Sequence, residues 1–181
     1  MAEAKVLLKL TIETTPSWDG EMPLELRNKW LKQFLRWESL KGMQFERPVM
    51  PQDAVNSEMR IILKGDFSKQ ILDVGCWGGF KKKDGTWSSQ HILSRHLLAK
   101  EKTIPKGELQ ALCNASNMGW IIRKILAEWV VEYIVVGGSV IALCWTSTEK
   151  KSLAMFHRNR VIQIRRGTDL DKLYHVITSE N

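Results

Sequence analysis

Three strand-length segments follow one another and lead into one long amphipathic helix that opens on a proline, an order that restricts the possible folds more than any other feature of the sequence. The strand segments are Met59 to Asp66, Ile71 to Phe80 and Trp87 to Leu98. Phe67-Ser68-Lys69 separates the first two, and the polar stretch Lys81 to Thr86, with Asp84-Gly85 in it, separates the second pair. Such spacing and turn chemistry predict consecutive antiparallel strands. The helix is read from Pro105 to about Trp129, because proline's fixed φ and missing N–H cost nothing in a first helical turn. A further β run, Tyr133 to Val136, ends in Gly137-Gly138-Ser139, and a short apolar helix, Val140 to Trp145, comes next. A basic helix then spans about Ser152 to Arg166, with Leu153, Phe156, Val161 and Ile164 as its buried stripe and Gly167 as its cap. Leu173 to Thr178 forms a last strand. A helical crossover makes the strand after it parallel to the one before, so ββββ-type meanders alone are excluded and a mixed sheet with flanking helices is expected.

The stretch before this domain reads differently. Residues 1 to 12 mix Val6, Leu7, Leu8, Leu10 and Ile12 with charges without a clean period, which leaves helix and strand both open. Ser17-Trp18-Asp19-Gly20 is a turn, and Met22-Pro23 opens a helix with Leu26, Trp30, Phe34, Trp37 and Leu40 on one side. Gly42 ends it, and Phe45 to Ala54, with Pro48 and Pro51, reads as an extended connector. The expected division is a helical connecting segment over 1–56 and a main domain over 57–181.

A chain of 181 residues with 44% hydrophobic and 26% charged residues has the composition of a soluble globular protein. No apolar run approaches the roughly 18 residues of a membrane helix, and the N-terminus lacks the pattern of a secretory signal, so an intracellular protein, cytoplasmic or nuclear, is expected, without membrane or small-molecule cofactor. Cys76, Cys113 and Cys144 stand apart in apolar settings and read as buried reduced thiols. The net charge of +7 favours nucleic acid as partner. Charge concentrates in the basic helix, where Lys150, Lys151, Arg158, Arg160, Arg165 and Arg166 are the candidate phosphate contacts, with a smaller cluster at Lys81-Lys82-Lys83. Eight tryptophans could supply base stacking, but most sit at apolar positions and core packing is the expected role.

Five stretches, in order and covering nearly the whole chain, resemble the BEL/Pao class of retrotransposon polyproteins in the region after the reverse transcriptase, also known as the Pao retrotransposon peptidase family. They are Pro23-Leu24-Glu25-Leu26-Arg27-Asn28-Lys29-Trp30, Gly65-Asp66-Phe67-Ser68, Thr103-Ile104-Pro105-Lys106-Gly107-Glu108-Leu109, Ser139-Val140-Ile141-Ala142-Leu143-Cys144-Trp145 and Phe156-His157-Arg158-Asn159-Arg160-Val161. The resemblance implies a ribonuclease H-like fold with a five-stranded mixed sheet, here lacking its last helix. No Asp-Thr-Gly or Asp-Ser-Gly triplet is present, so an aspartic protease has no residues to stand on.

In that fold, carboxylates on the first strand, the first helix, the end of the fourth strand and the last helix hold two Mg²⁺ ions. Hard divalent cations take oxygen ligands, and two of them clamp the attacking and leaving oxygens of an in-line phosphodiester displacement. Asp66 matches the first position and Glu108 the second, making both candidate catalytic residues and metal ligands. Glu108 is read in the first turn of its helix, where an acid commonly does no more than compensate the dipole. The third acid would precede Ser139, where this chain has Gly138, and the fourth would lie in a segment starting about where the chain ends at Asn181. The resemblance thus implies a degenerate ribonuclease H-like domain, inactive or nearly so, with Mg²⁺ binding weak or lost and binding of an RNA/DNA hybrid or duplex retained. Two alternatives stay open: an active Mg²⁺-dependent ribonuclease recruiting a third ligand such as Asp73 or Glu180, and a structural or protein-interaction fragment displaying Trp30, Phe34 and Trp37.

Overall fold

The computed structural model describes residues 2–15, 17, 19–43, 51, 53–101 and 103–175, with the side chains of 2, 56, 57 and 150 excepted. The chain divides into two compact units, Met1–Arg47 and Pro48–Asn181. Within the first, the ambiguous N-terminal stretch is a helix, α1 (Ala2–Thr14), followed by α2 (Leu24–Glu38). Trp30 donates its indole N–H to Thr11 Oγ1 at 2.9 Å and ties the two helices together. Of the stripe predicted for α2 only Leu26 is buried; Phe34 and Leu40 are about half exposed. Two helices of this length cannot enclose a core, so the stripe has too little to pack against. The predicted connector falls mostly on residues 44–50, outside the described residues.

The second unit contains β1 (Ala54–Phe67), β2 (Ile71–Lys82), β3 (Trp87–Leu98), α3 (Ile104–Ile125), β4 (Val130–Gly137), α4 (Val140–Ser147), α5 (Met155–Gly167) and β5 (Leu173–His175), with a single helical turn at Lys150–Ser152 before α5. The five strands form one sheet in the order β3-β2-β1-β4-β5. β1–β2 and β2–β3 are antiparallel, as the turn chemistry predicts. The β2–β3 turn is closed by Asp84, whose Oδ1 accepts from the Thr86 N–H at 2.9 Å, and by Gly85 at φ +85°, where a Cβ would be strained. β4 and β5 join as parallel strands, each reached through helical crossovers. The expected five-stranded mixed sheet is therefore the one present.

The core lies between the sheet and α3 with α5. Met59, Ile61, Leu63 and Phe67 of β1 and Leu72, Val74, Cys76 and Phe80 of β2 face it, meeting Leu109, Leu112, Ala115 and Ile122 of α3 and Val161 and Ile164 of α5. Two expectations fail on burial. Cys76 and Cys113 are buried, which pushes their thiols up to about 12 and about 11, but Cys144 is exposed on α4. None of the described tryptophans is fully buried: Trp37, Trp87, Trp120 and Trp129 are exposed, and Trp30, Trp77 and Trp145 half-buried. The cause is visible at Trp87 and Trp120, whose rings lie beneath Arg60 and Lys124 at 4.1 and 4.0 Å, covered by cations at the surface and not by core. No helix of the described residues is long and apolar enough to cross a membrane.

α3 comes unusually close to β1. A Cβ on Gly65 would sit 2.5 Å from the Ala111 carbonyl oxygen, and one on Gly107 would sit 2.3 Å from the Phe67 ring. Backbone thus rests on backbone, and no rotamer change relieves an added methyl group at Gly65. Gly79, on the same sheet, has only an ordinary contact of 3.6 Å with Trp87. Gly65→Ala is expected to lower unfolding free energy by about 2–3 kcal/mol or more, and Gly79→Ala to change it by less than about 0.5 kcal/mol. Urea denaturation of both variants checks the contrast; equal effects would refute the close packing of α3 on β1.

Candidate functional site

The close packing decides where two carboxylates go. Asp66 is the penultimate residue of β1, exposed, and its Oδ1 accepts the Phe67 N–H at 2.9 Å, which fixes the carboxylate at the strand end. Glu108 follows Gly107, the residue pressed onto Phe67, so α3 delivers its side chain to the same end. The helix begins at Ile104, one residue earlier than predicted, with Thr103 as its cap, and Glu108 therefore lies beyond the first turn. It is 6% exposed. A dipole-compensating acid belongs in solvent in the first turn; a buried one beyond it has another cause.

Gly138 supplies the third side of the site. Gly65 pairs with Gly137 across the parallel β1–β4 ladder, so position 138 falls beside Asp66. A Cβ built on Gly138 would lie 3.0 Å from Glu108 Oε2, 3.2 Å from Asp66 Oδ1 and 3.3 Å from Glu108 Oε1. Both carboxylates therefore converge on the point toward which a side chain at 138 would project. α4 starts immediately afterward, Ser139 capping it by accepting the Ala142 N–H at 3.4 Å.

The electrostatics follow from this crowding. Glu108 Oε2 is buried and has no hydrogen-bond partner. Burial first, and then the negative charge of Asp66, push the Glu108 carboxyl up to about 7, while the Phe67 amide and Lys64 pull it back. Lys64 is a residue of the site that sequence reading missed; its only signal was its place two residues before Asp66, on the same face of the strand. Asp73 stands directly opposite Asp66 in the ladder but is engaged by His96, Nδ1 to Oδ1 2.7 Å. Glu180 lies outside the described residues.

The donor set fits a divalent cation incompletely. The orphaned Oε2 and the two facing carboxylates are oxygen ligands of the right kind, yet no group of three or more His, Cys, Asp or Glu side chains among the described residues could hold a metal ion.

The basic residues do not form the single solvated face expected of them. Arg165 donates to the carbonyls of Thr146 and Thr148 at 2.8 and 2.9 Å, and Arg158 to that of Leu153 at 3.2 Å. Arg160 donates Nε to Gln110 Oε1 at 2.8 Å and stacks on Phe156 at 3.7 Å. These cations hold α5 to its neighbours. Lys151 and Arg166 are exposed, and Lys150's side chain is outside the described set.

A family profile of the Pao retrotransposon-like RNaseH-like domain matches residues 1–135, a span that includes both carboxylates. The chain belongs to this family. No curated protein matches this chain. Its fold is distantly similar to solved structures. Ribonuclease H1 of the halophilic archaeon Halobacterium salinarum shares 12% identity at a TM-score of 0.37, over 66% of this chain and 85% of its own. A ribonuclease H1 isolated from compost by metagenomics shares 15% at 0.39, over 66% and 83%. A foamy viral protease–reverse transcriptase, solved with an RNA/DNA hybrid, shares 11% at 0.38, over 94% of this chain and 26% of its own.

The raised carboxyl makes stability fall with pH. Below the ordinary carboxylate value Glu108 is protonated both folded and unfolded; between that value and about 7 only the unfolded chain ionises; above 7 the folded site must hold a buried charge. Glu108→Gln should therefore stabilise the Pao domain above pH 7, by on the order of 3 kcal/mol, and have little effect at pH 4. Urea melts of both proteins at pH 4, 6 and 8 measure this, and a variant less stable than the parent at pH 8 would refute the crowded geometry.

Proposed function

We propose that this Pao ribonuclease H-like domain is a degenerate nuclease: it holds nucleic acid but does not cleave it. The observation that carries the reading is the convergence of Asp66 and Glu108 on the bare Cα of Gly138, where a Cβ would lie 3.0 Å from Glu108 Oε2 and 3.2 Å from Asp66 Oδ1 and where glycine supplies no third carboxylate. In-line phosphodiester displacement needs a clamp on both the attacking and the leaving oxygen, and that clamp needs enough negative ligands. Here there are two carboxylates, and one of them, pushed up to about 7, still carries a proton part of the time at neutral pH, so that a cation must compete with that proton for it. Affinity scales with ligand charge and geometry, so Mg²⁺ binding would be weak. Each tenfold loss of rate is about 1.4 kcal/mol of transition-state stabilisation, and one missing carboxylate plus a misplaced cation amounts to several such steps. Asp73, the one candidate replacement among the described residues, is committed to His96, which favours loss of activity over recruitment of a new ligand. Hybrid or duplex binding would rest on phosphate contacts from the exposed Lys151 and Arg166, without reading sequence.

The freshly purified chain, given an RNA/DNA hybrid with Mg²⁺ or Mn²⁺, should cut no faster than its Glu108→Gln variant. Gly138→Asp should raise Mn²⁺ affinity at least about tenfold in calorimetric titration at pH 8, since the oxygens it meets are the far ends of flexible side chains. Cleavage by the parent that disappears in Glu108→Gln would show an active enzyme and end the degenerate reading.

A second reading concerns the N-terminal unit alone. Trp30 stacks on Phe34 with centroids 5.6 Å apart, Phe34 meets Trp37 edge-on at 5.4 Å, and Leu31 and Leu35 beside them are more than half exposed. An apolar surface of this kind supports a protein-contact role. Sedimentation should then show concentration-dependent association that Phe34→Glu removes; a monomer at all concentrations counts against it.

A further inference from the structure

We infer that the outer seam between α3 and α5 is a binding groove for an unpaired nucleic-acid strand, separate from the Asp66–Glu108 pair. Lys106, Gln110, Asn114, Asn117 and Trp120 recur along α3 at spacings of four, four, three and three, which places them on one face. From α5, Phe156, Arg160, Gln163 and Arg166 recur at four, three and three and face them. Contacts run along the length of the seam: Lys106 Nζ lies 5.6 Å from the Phe156 ring, Arg160 donates to Gln110, and Cys113 Sγ donates to Gln163 Oε1 at 3.0 Å. At its far end Asn117, Trp120, Gln163 and Arg166 line an open cavity of about 260 Å³.

Charge selects a polyanion. α3 and α5 contain a single acid, Glu108, which is buried at the sheet end beside Asp66 and absent from the seam. Against it stand Lys106, Arg123 and Lys124 on α3 and four arginines on α5. A face that merely needed solvation would carry acids as readily as bases; one that meets phosphates excludes acids. Arg166 is exposed, and its guanidinium makes no hydrogen bond or ion pair among the described residues. Arg158, Arg160 and Arg165 each donate to backbone carbonyls, so of the four α5 arginines Arg166 is the one free, among the described residues, to take a phosphate.

The remaining side chains choose among polyanions. Trp120 is 44% exposed, with Lys124 on its ring, and does nothing for the core. An exposed indole beside a free guanidinium can stack an unpaired base, worth about 1–3 kcal/mol per base. Carboxamides pair with base edges, and the seam carries four of them. In a duplex the bases are stacked inward and unavailable to the indole; an acidic peptide would use the cations and leave both indole and amides without a role. From Lys106 to Trp120 the helix rises about 21 Å at 1.5 Å per residue, room for a strand of several nucleotides.

This inference rests on the reading that α5 meets nucleic acid, and the test separates the two. Fluorescein-labelled twelve-residue oligothymidine, an RNA/DNA hybrid of the same length and a twelve-residue polyglutamate are titrated with the full chain at 50 mM salt, followed by polarisation. Oligothymidine should bind. Arg166→Glu should weaken it at least about tenfold, and Trp120→Ala about five- to hundredfold, with Trp120→Phe restoring most of the loss. Trp87→Ala, on the sheet, should change nothing, and circular dichroism should be unaltered in all variants because every altered residue is exposed. Hybrid binding without oligothymidine binding would overturn the groove alone. Failure of both would overturn the groove and the nucleic-acid reading together. Polyglutamate binding as tightly as oligothymidine, with Trp120→Ala affecting neither, would make the seam a peptide site and overturn the inference as well.

Discussion

The contact on which the rest of this domain depends is the bare-backbone approach of α3 to the end of β1. Gly65 leaves no atom between strand and helix carbonyl, and Gly107 leaves none between helix and the Phe67 ring. The helix is thereby pinned at the height where Glu108 reaches the strand end, and its opposite face is turned outward along α5. Both candidate sites are consequences of that one seating: the carboxylates on the inner side, the polar seam on the outer. A helix held off by even one methyl group would carry Glu108 out of reach of Asp66.

Much of the fold is legible without coordinates because its signals are local. Asp84-Gly85 fixes the β2–β3 turn through a side-chain hydrogen bond and a positive φ, and Pro105 marks the start of α3 within one residue. Residues 2–14 are not legible, since an apolar set with no period and only Leu7 buried gives neither helix nor strand an advantage in sequence. The tryptophans mislead for a related reason. An indole at an apolar-looking position reads as core, and nothing local reveals that Arg60 or Lys124 will lie across its face.

The sites divide along the same line. Asp66 and Glu108 are found from motif and position, and Gly138 from its place after the fourth strand. What cannot be read is non-local. Lys64 matters through the charge it sets near Glu108, and Arg165 through carbonyls 17 and 19 residues away in the chain. A run of arginines in sequence therefore looks like one basic surface, and the fold then distributes it among helix clamps, ring stacking and a single free guanidinium.

Gly138 differs in kind from the glycines that seat α3. Gly65 faces backbone, which cannot yield, whereas Gly138 faces only the tips of two acidic side chains. Any glycine codon becomes an aspartate or a glutamate codon by one base change. The hollow between Asp66 and Glu108 is thus a single nucleotide change away from holding a third carboxylate, while the scaffold around it admits no such change at Gly65. A lineage carrying this chain can alter the chemistry of the centre in one genetic step without disturbing the architecture that frames it.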